Sequence, residues 1–485
     1  MKQYCVTFLP SAISVQADEG TTLLQAQAKA GLLPDAPCGG KGTCGKCRVT
    51  VAGQSILACQ SVVDRDMTVL LPHAEETSIL TTGIRHFIQP DGTHRYGVAI
   101  DVGTTTIVAY LLSGKTYMLI ADESCRNPQV RYGADVISRI EYAMNGGAEE
   151  IRSCVIAALD QLIRGIAEKA KIPLEEITVA ALAGNTAMHH LMLGIDTKPL
   201  VTPPYMPNVY QALELPADTV LPIHGTLRVL PNIAGFVGGD TVGCMVATRF
   251  DQLEDLTLMI DIGTNGEMVL GNKHRRIACS TAAGPAFEGA KISCGMRGAA
   301  GAIDHVWMEK DEIKYHVIGE VKAEGICGSG LLDLVAALLN SGIVDESGYL
   351  EGKEFTLCEG VTLTQKDVRE VQLAKAAIRA GIELLAEKLG AAVEDIRKVY
   401  LAGAFGNYLA PASACRIGMI PPVLIDRIEP IGNAAGEGAK LCAMSEAEFK
   451  YAQALAENTE FLELASLPQF QDCYVDALEF GEEEK

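Results

Sequence analysis

A chain of 485 residues is too long for one hydrophobic core and predicts two to four domains. Its 48% apolar and 21% charged residues suit a globular protein. The 61 acidic against 40 basic residues leave a net charge of −21, which repels nucleic-acid backbones and anionic membranes. The single tryptophan, Trp307, offers no stacking platform for single-stranded nucleic acid.

Met1–Pro10 lacks the basic segment and apolar run of a secretory signal. No apolar stretch approaches the roughly 20 residues that span a bilayer. The expectation is a cytoplasmic protein whose 15 cysteines bind metal or lie buried as small apolar side chains.

In chain order, Tyr4–Phe8 and Ala12–Val15 read as strands joined by a Pro-Ser turn, and Thr21–Ala30 as a helix closed by Gly31. Arg48–Val51 and Met67–Leu71 add strands. Between them lies PCGGKGTCGKCRVTVAGQSILACQ, which gathers Cys38, Cys44, Cys47 and Cys59. Four thiolates in a glycine-rich loop suit an iron–sulfur cluster, because glycines at positive φ let backbone N–H groups approach the sulfurs. Zinc sites more often use two Cys-x-x-Cys knuckles, and here there is one. Residues 1–72 resemble a 2Fe–2S ferredoxin domain of β-grasp fold, with the cysteine spacing of the adrenodoxin variant. Residues 73–95, with the turn Gln89-Pro90-Asp91-Gly92, read as a linker.

The remainder repeats itself. Tyr96–Asp101 is an apolar strand that runs into Asp-Val-Gly-Thr-Thr-Thr (Asp101–Thr106), and Leu256–Asp261 runs into Asp-Ile-Gly-Thr-Asn-Gly-Glu (Asp261–Glu267). In each half a helical stretch (Ala148–Lys171; Lys366–Leu389) precedes a second strand. Those strands end in Gly184-Asn185-Thr186 and in Gly403-Ala404-Phe405-Gly406. An aspartate ending an apolar strand needs a cation or donors, and the glycine two residues on admits an anion to the backbone. Facing copies predict a triphosphate gripped by Gly103, Thr104, Thr105 and Thr106 on one side and Gly263, Thr264 and Asn265 on the other. Asp101 and Asp261 would then position Mg²⁺ through water. Neither a P-loop nor a dinucleotide fingerprint is present. The pair His189-His190 is read as helix packing, since adjacent helical residues diverge.

Residues 96–445 resemble the ASKHA superfamily of actin, sugar kinases and heat-shock chaperone ATPases, with lobes of about 96–255 and 256–445 and an extension over 446–485. The resemblance assigns Gly403, Ala404 and Gly406 to an adenosine motif. It makes Gln372 and Lys375 nucleotide contacts, against a plain reading as surface helix. Gly284–Gly289 and Cys327–Gly330 are glycine-rich too, and the latter opens the apolar helical run Leu331–Leu339, where its N–H groups are placed to face phosphate. The fold class is therefore α/β overall, a β-grasp ferredoxin followed by a two-lobed, ribonuclease H-like ATPase.

The whole order, with the stretch Gly284–Arg297, resembles the reductive activators of corrinoid proteins. That resemblance implies ATP-driven reduction of a corrinoid protein from Co(II) to Co(I), a low-potential electron donor and a homodimer formed through the ATPase domain. Longer members carry a further domain after the linker, whereas here Asp101 follows Cys59 by only 42 residues. The rival readings are an activator of a different redox enzyme, of the 2-hydroxyacyl-CoA dehydratase kind, and a small-molecule kinase with an iron–sulfur sensor.

Overall fold

In a computed structural model of the chain, residues 2–32, 36, 40, 42, 45, 47–71, 80–84, 86, 88–310 and 312–481 are described. Cys38, Cys44 and much of the expected linker lie outside them. The N-terminal unit contains β1 (Gln3–Leu9), β2 (Ile13–Asp18), α1 (Leu23–Lys29), β3 (Arg48–Val51), β4 (Gln54–Leu57) and β5 (Met67–Leu70). Its sheet runs β2-β1-β5-β3-β4, with β1 and β5 parallel and the other pairs antiparallel. A capping box starts α1: Thr22 Oγ1 accepts from Gln25 N at 3.2 Å and the Gln25 side chain accepts from Thr22 N at 3.1 Å. Leu23 and Ala26 then pack on Val6, Phe8 and Val69, which gives the β-grasp arrangement. The sequence reading lacked β4, whose four residues are too few and too polar to show alternation.

The first lobe contains β6 (Tyr96–Val102), β7 (Thr106–Ser113), β8 (Leu119–Arg126), α2 (Val136–Tyr142), α3 (Ala148–Ala170), β9 (Ile177–Gly184), α4 (Thr186–Leu193), β10 (Leu213–Pro216), β11 (Thr226–Val229) and α5 (Gly239–Thr248). The second begins with β12 (Thr257–Ile262), β13 (Gly266–Gly271) and β14 (Arg276–Thr281). A small sheet of β15 (Ala302–Glu309), β16 (Glu312–Val317) and β17 (Gly325–Ile326) leads into α6 (Gly328–Asn340). The hairpin β18 (Glu354–Cys358) and β19 (Val361–Thr364) precedes α7 (Gln365–Leu389). Then follow β20 (Lys398–Ala402), α8 (Gly403–Tyr408), α9 (Pro411–Arg416), β21 (Ile428–Gly432), α10 (Ala434–Met444), α11 (Glu446–Glu457), β22 (Glu460–Phe461) and α12 (Pro468–Asp476).

The two large sheets, β10-β11-β9-β6-β7-β8 and β21-β20-β12-β13-β14-β22, share one plan. In each, an antiparallel three-strand meander is extended by two parallel strands: β9 and β11 in the first, β20 and β21 in the second. Helices α5 and α10 fill the seam between them. Val242, Met245, Ala439 and Leu441 bury against Ala99, Val108 and Val179 of one sheet and Met259, Val269 and Tyr400 of the other. Burying both helix faces against apolar sheets holds the lobes together and leaves the strand ends facing one cleft.

Two stretches read as peripheral are packed. Thr82–Ile84 line the edge of β21, with Ile84 N donating to Ile431 O at 2.9 Å and Asn433 N to Thr82 O at 2.9 Å. Residues from 446 onward add α11 to the central seam through Phe449, Ala452 and Leu455, pair β22 with β14, and bury Phe480 in the second lobe.

Candidate functional site

The strand ends open on a cleft of about 600 Å³. Its wall brings together Asp101 and Gly103–Thr106 from the first lobe, Asp261 and Gly263–Asn265 from the second, and Gly403 and Ala404. The two turns are related, the first being one residue longer than the second. Gly103 N donates to Thr106 O at 2.9 Å, and Gly263 N donates to Asn265 O at 2.8 Å. The carbonyl of Thr105 accepts from Asn127 N, and that of Thr264 from Gly284 N, each at 2.8 Å. Among the described residues, the amides of Thr104, Thr105, Thr264 and Asn265 donate to no protein acceptor. Free N–H groups converging from two sides form an anion cradle that tolerates the negative surface around it.

Carboxylates crowd the floor. Asp101 and Asp261 are joined by Asp240, at the start of α5, and Glu267. Loss of hydration pushes Asp101 up to about 7; a hydrogen bond from Asn433 Nδ2 to Oδ2 at 2.9 Å opposes that push, and the Asp240 charge adds to it. Loss of hydration, then Asp240 and Asp101, raise Asp261 to about 7 as well. Asp240 rises to about 6 and Glu267 stands well above the usual range, both mainly through lost hydration. Such a set of hard oxygen donors fits a divalent cation. Among the described residues no three His, Cys, Asp or Glu side chains converge closely enough to hold an ion by themselves, so phosphate and water would complete its shell.

Sequence reasoning missed Asp240, Asn433 and Asn185. Both asparagines do double duty. Asn185 caps α4 by accepting from Met188 N at 2.9 Å while donating to Thr104 Oγ1 at 2.9 Å. Asn433 caps α10 through Gly436 N at 2.8 Å while holding Asp101. The available signal was the Gly-Asn pair after a strand in each half, 184–185 and 432–433. Of the glycine-rich stretches, Phe287 and Glu288 line the cleft, as do Cys327, Gly328 and Ser329 at the start of α6. His316 and Asp304, paired at 2.6 Å, line it too. His189 and His190 are buried in packing, with Nδ1 atoms 3.1 Å apart.

Three residues predicted to touch nucleotide sit elsewhere. Gly406 packs on Leu401. Gln372 is buried and donates to Leu478 O at 2.8 Å and Ser347 O at 3.1 Å. Lys375, also buried, donates to Glu479 O beneath the Phe480 ring. The C-terminal segment therefore covers the helix face that the resemblance gave to adenosine. Burial, then the Arg379 charge, pulls the Lys375 ammonium down to about 7 from 10.5. Between those values the unfolded chain binds a proton that the folded one does not, so stability rises with pH. Unfolding of the wild type from pH 7.5 to 9.5 is expected to gain about 1 kcal/mol per pH unit relative to Lys375→Met. Parallel denaturant curves for the two would refute it.

Gly403 shows how tightly the cleft is drawn. It has φ 78°, and a Cβ there would stand 2.6 Å from Asp261 Oδ1. Gly403→Ala therefore strains the backbone and displaces the carboxylate, with an expected loss of about tenfold or more in the cleft's affinity for inorganic triphosphate by calorimetry.

In the N-terminal unit, the β3–β4 hairpin pairs Arg48 with Leu57, so Cys47 and Cys59 come to the same end of the sheet. Ala58 N donates to Cys47 O at 2.8 Å, and both cysteines are buried. Gly40, Gly42 and Gly45 hold the positive φ values expected of a loop wrapping a cluster. The described thiols and backbone fit a 2Fe–2S group; Cys38 and Cys44 lie outside the described residues.

Fold and cleft define a class: an iron–sulfur ferredoxin module joined to a two-lobed ASKHA domain. The comparisons narrow it. Residues 6–70 match the 2Fe-2S iron-sulfur cluster binding domain, 96–253 the RACo middle region, and 255–485 the C-terminal domain of RACo, the ASKHA domain. The corrinoid activation enzyme RamQ of Eubacterium limosum is 37% identical over 420 residues, 80% of this chain and 70% of that protein. The [Co(II) methylated amine-specific corrinoid protein] reductase of Methanosarcina barkeri is 28% identical over 361 residues, 67% of this chain and 66% of that one. A solved reductive activator for corrinoid, iron-sulfur protein superposes with TM-score 0.71 and 29% identity over 98% of each chain. This chain belongs to the family of reductive activators of corrinoid proteins. It spans 70% and 66% of the two curated relatives and matches the solved activator almost end to end.

Proposed function

We propose that this protein is an ATP-dependent reductive activator that reduces the Co(II) corrinoid of a partner protein to Co(I). The observation that carries the reading is the presence, on one chain, of a cysteine-bearing β-grasp unit and a cleft with two matched sets of open amides. Its family supports the corrinoid protein as electron acceptor.

The chain's own groups do the following. Thr104 and Thr105 N–H on one lobe, and Thr264 and Asn265 N–H on the other, hold the phosphate chain of ATP. Asp101, Asp240 and Asp261 would hold Mg²⁺, whose charge would relieve their mutual repulsion. Because the amides come from both lobes, a triphosphate favours the closed arrangement over the open one, and hydrolysis removes that preference. Cys38, Cys44, Cys47 and Cys59 would hold the 2Fe–2S cluster. When bound, the cluster supplies the single electron by which Co(II) becomes Co(I), and a low-potential donor replaces it. No described helix is long and apolar enough to cross a membrane. The cytoplasmic site and the homodimer of ATPase domains remain part of this reading, the latter checked by sedimentation.

The test mixes the reduced protein anaerobically with a Co(II) corrinoid protein, with and without Mg-ATP, and follows the Co(I) absorbance. Growth of Co(I) only with ATP is expected. ATP hydrolysis without cobalt reduction by any of several corrinoid partners would move the acceptor to a different redox enzyme.

A further inference from the structure

Arg139, on α2, is among the largest fully buried side chains of the molecule and has no solvent exposure. Among the described residues it makes no ion pair within 4 Å. A guanidinium stripped of water and without a carboxylate in contact is costly, so its surroundings should show what the charge serves. Its donors hold the first phosphate turn from behind. Nη2 donates to Thr104 O at 2.6 Å, Nε to Gly133 O at 3.0 Å, and Nη1 points to Met188 Sδ at 3.4 Å. Asn127, buried beside it, donates from Nδ2 to Gly103 O at 2.8 Å. The carbonyls of Gly103 and Thr104 thus face inward to buried donors, and the peptide that carries Thr105 N–H must present that N–H to the cleft.

Two consequences follow from this geometry. The turn cannot flip its peptide without leaving the guanidinium unpaired. A charged donor on the Thr104 carbonyl also polarises the Thr104–Thr105 peptide, which strengthens Thr105 N–H as a donor to an anion. Among the described residues, the second turn has a backbone donor in that place, Gly284 N on Thr264 O. There Thr264 Oγ1 donates to Glu288 Oε1 at 2.8 Å, which puts a carboxylate beside the second turn. Loss of hydration draws Arg139 down to about 10, with Glu288 the largest opposing charge, so Arg139 stays cationic at neutral pH and senses the opposite lobe.

We propose that Arg139 is the positioning residue of the first phosphate turn, locking Thr104 and Thr105 with their N–H groups toward the cleft and setting a positive charge behind the phosphate chain. The proposal rests on the ATP reading above and deepens it. The first lobe becomes the side that selects for a polyphosphate, and it offsets the carboxylates on the cleft floor.

The test titrates full-length wild type, Arg139→Gln and Arg139→Lys with Mg-ATP and, separately, adenosine, after thermal melts confirm folding. Arg139→Gln is expected to weaken ATP about 10- to 100-fold and to leave adenosine binding unchanged, since only phosphate feels the charge. Its KM for ATP rises by more than its kcat falls, and Arg139→Lys recovers part of the affinity by restoring charge without the fork. Equal weakening of ATP and adenosine, or unchanged ATP affinity, overturns the assignment and leaves the function standing. Failure of the wild type to bind ATP overturns both. If Arg139→Gln does not fold, the Arg139 side-chain ¹⁵Nε resonance of the wild type is read instead. It should move on addition of inorganic triphosphate and not of adenosine; indifference to triphosphate overturns the proposal.

Discussion

Replacing Cys59 with serine is expected to abolish the visible absorbance of the 2Fe–2S cluster and the reduction of the partner's cobalt, while ATP hydrolysis keeps its rate. Cys59 lies in the short helical turn after β4, buried beside Ala58 and held next to Cys47 by the β3–β4 hairpin. Serine offers a harder, poorly acidic ligand in place of thiolate, so cluster occupancy should fall by more than about tenfold. The ATPase should not notice. The core around Cys59 contains only residues of the N-terminal unit, and among the described residues no hydrogen bond joins residues 2–71 to residues 80–481. The check is paired: iron content with absorbance, and phosphate release, on the same preparation. Phosphate release falling in step with iron would show that the two units fold as one and would sink the modular account.

Asp261→Asn is expected to act in the opposite sense. It should cut ATP turnover by about 10²- to 10³-fold and leave the cluster spectrum intact. Asn keeps the volume but removes the charge that would hold the hydrated cation, near the end of β12 and on the same cleft wall as Thr264 and Asn265. Stability should move the other way. Asp261 shares the cleft floor with Asp101 and Asp240, and their mutual repulsion in a poorly hydrated place disfavours the folded state when no cation is present. In EDTA at pH 8, without nucleotide, the variant should unfold about 1–3 kcal/mol later than the wild type. A variant that loses both activity and stability would mean that Asp261 serves the fold and not the cation.

The pattern of what was legible follows range along the chain. The cysteine loop and the two Asp-x-Gly-Thr turns could be read directly, because each is a local device whose spacing meets its chemistry within a few residues. So could the repeat, since two strands of like pattern at matched positions call for like lobes. Residues that join the site from afar could not be read. Asp240 enters from α5, Asn433 reaches Asp101 across 332 positions, and Arg139 reaches Thr104 across 35. Each resembles an ordinary cap or helix residue until packing sets it in place.

Gln372 and Lys375 make the same point from the other side. Their helix was assigned correctly by pattern, and superfamily likeness placed them on adenosine. The C-terminal residues Leu478, Glu479 and Phe480 instead fold back on that face, with Phe480 buried in the second lobe. By itself the sequence determined the order of the modules and the family, and it placed the two Asp-x-Gly-Thr turns at the ends of matching strands. Only the tertiary structure decided which polar groups share the cleft and which are covered. Hydrophobic burial of α5 and α10 between two sheets fixes long-range proximity, and no local signal records it.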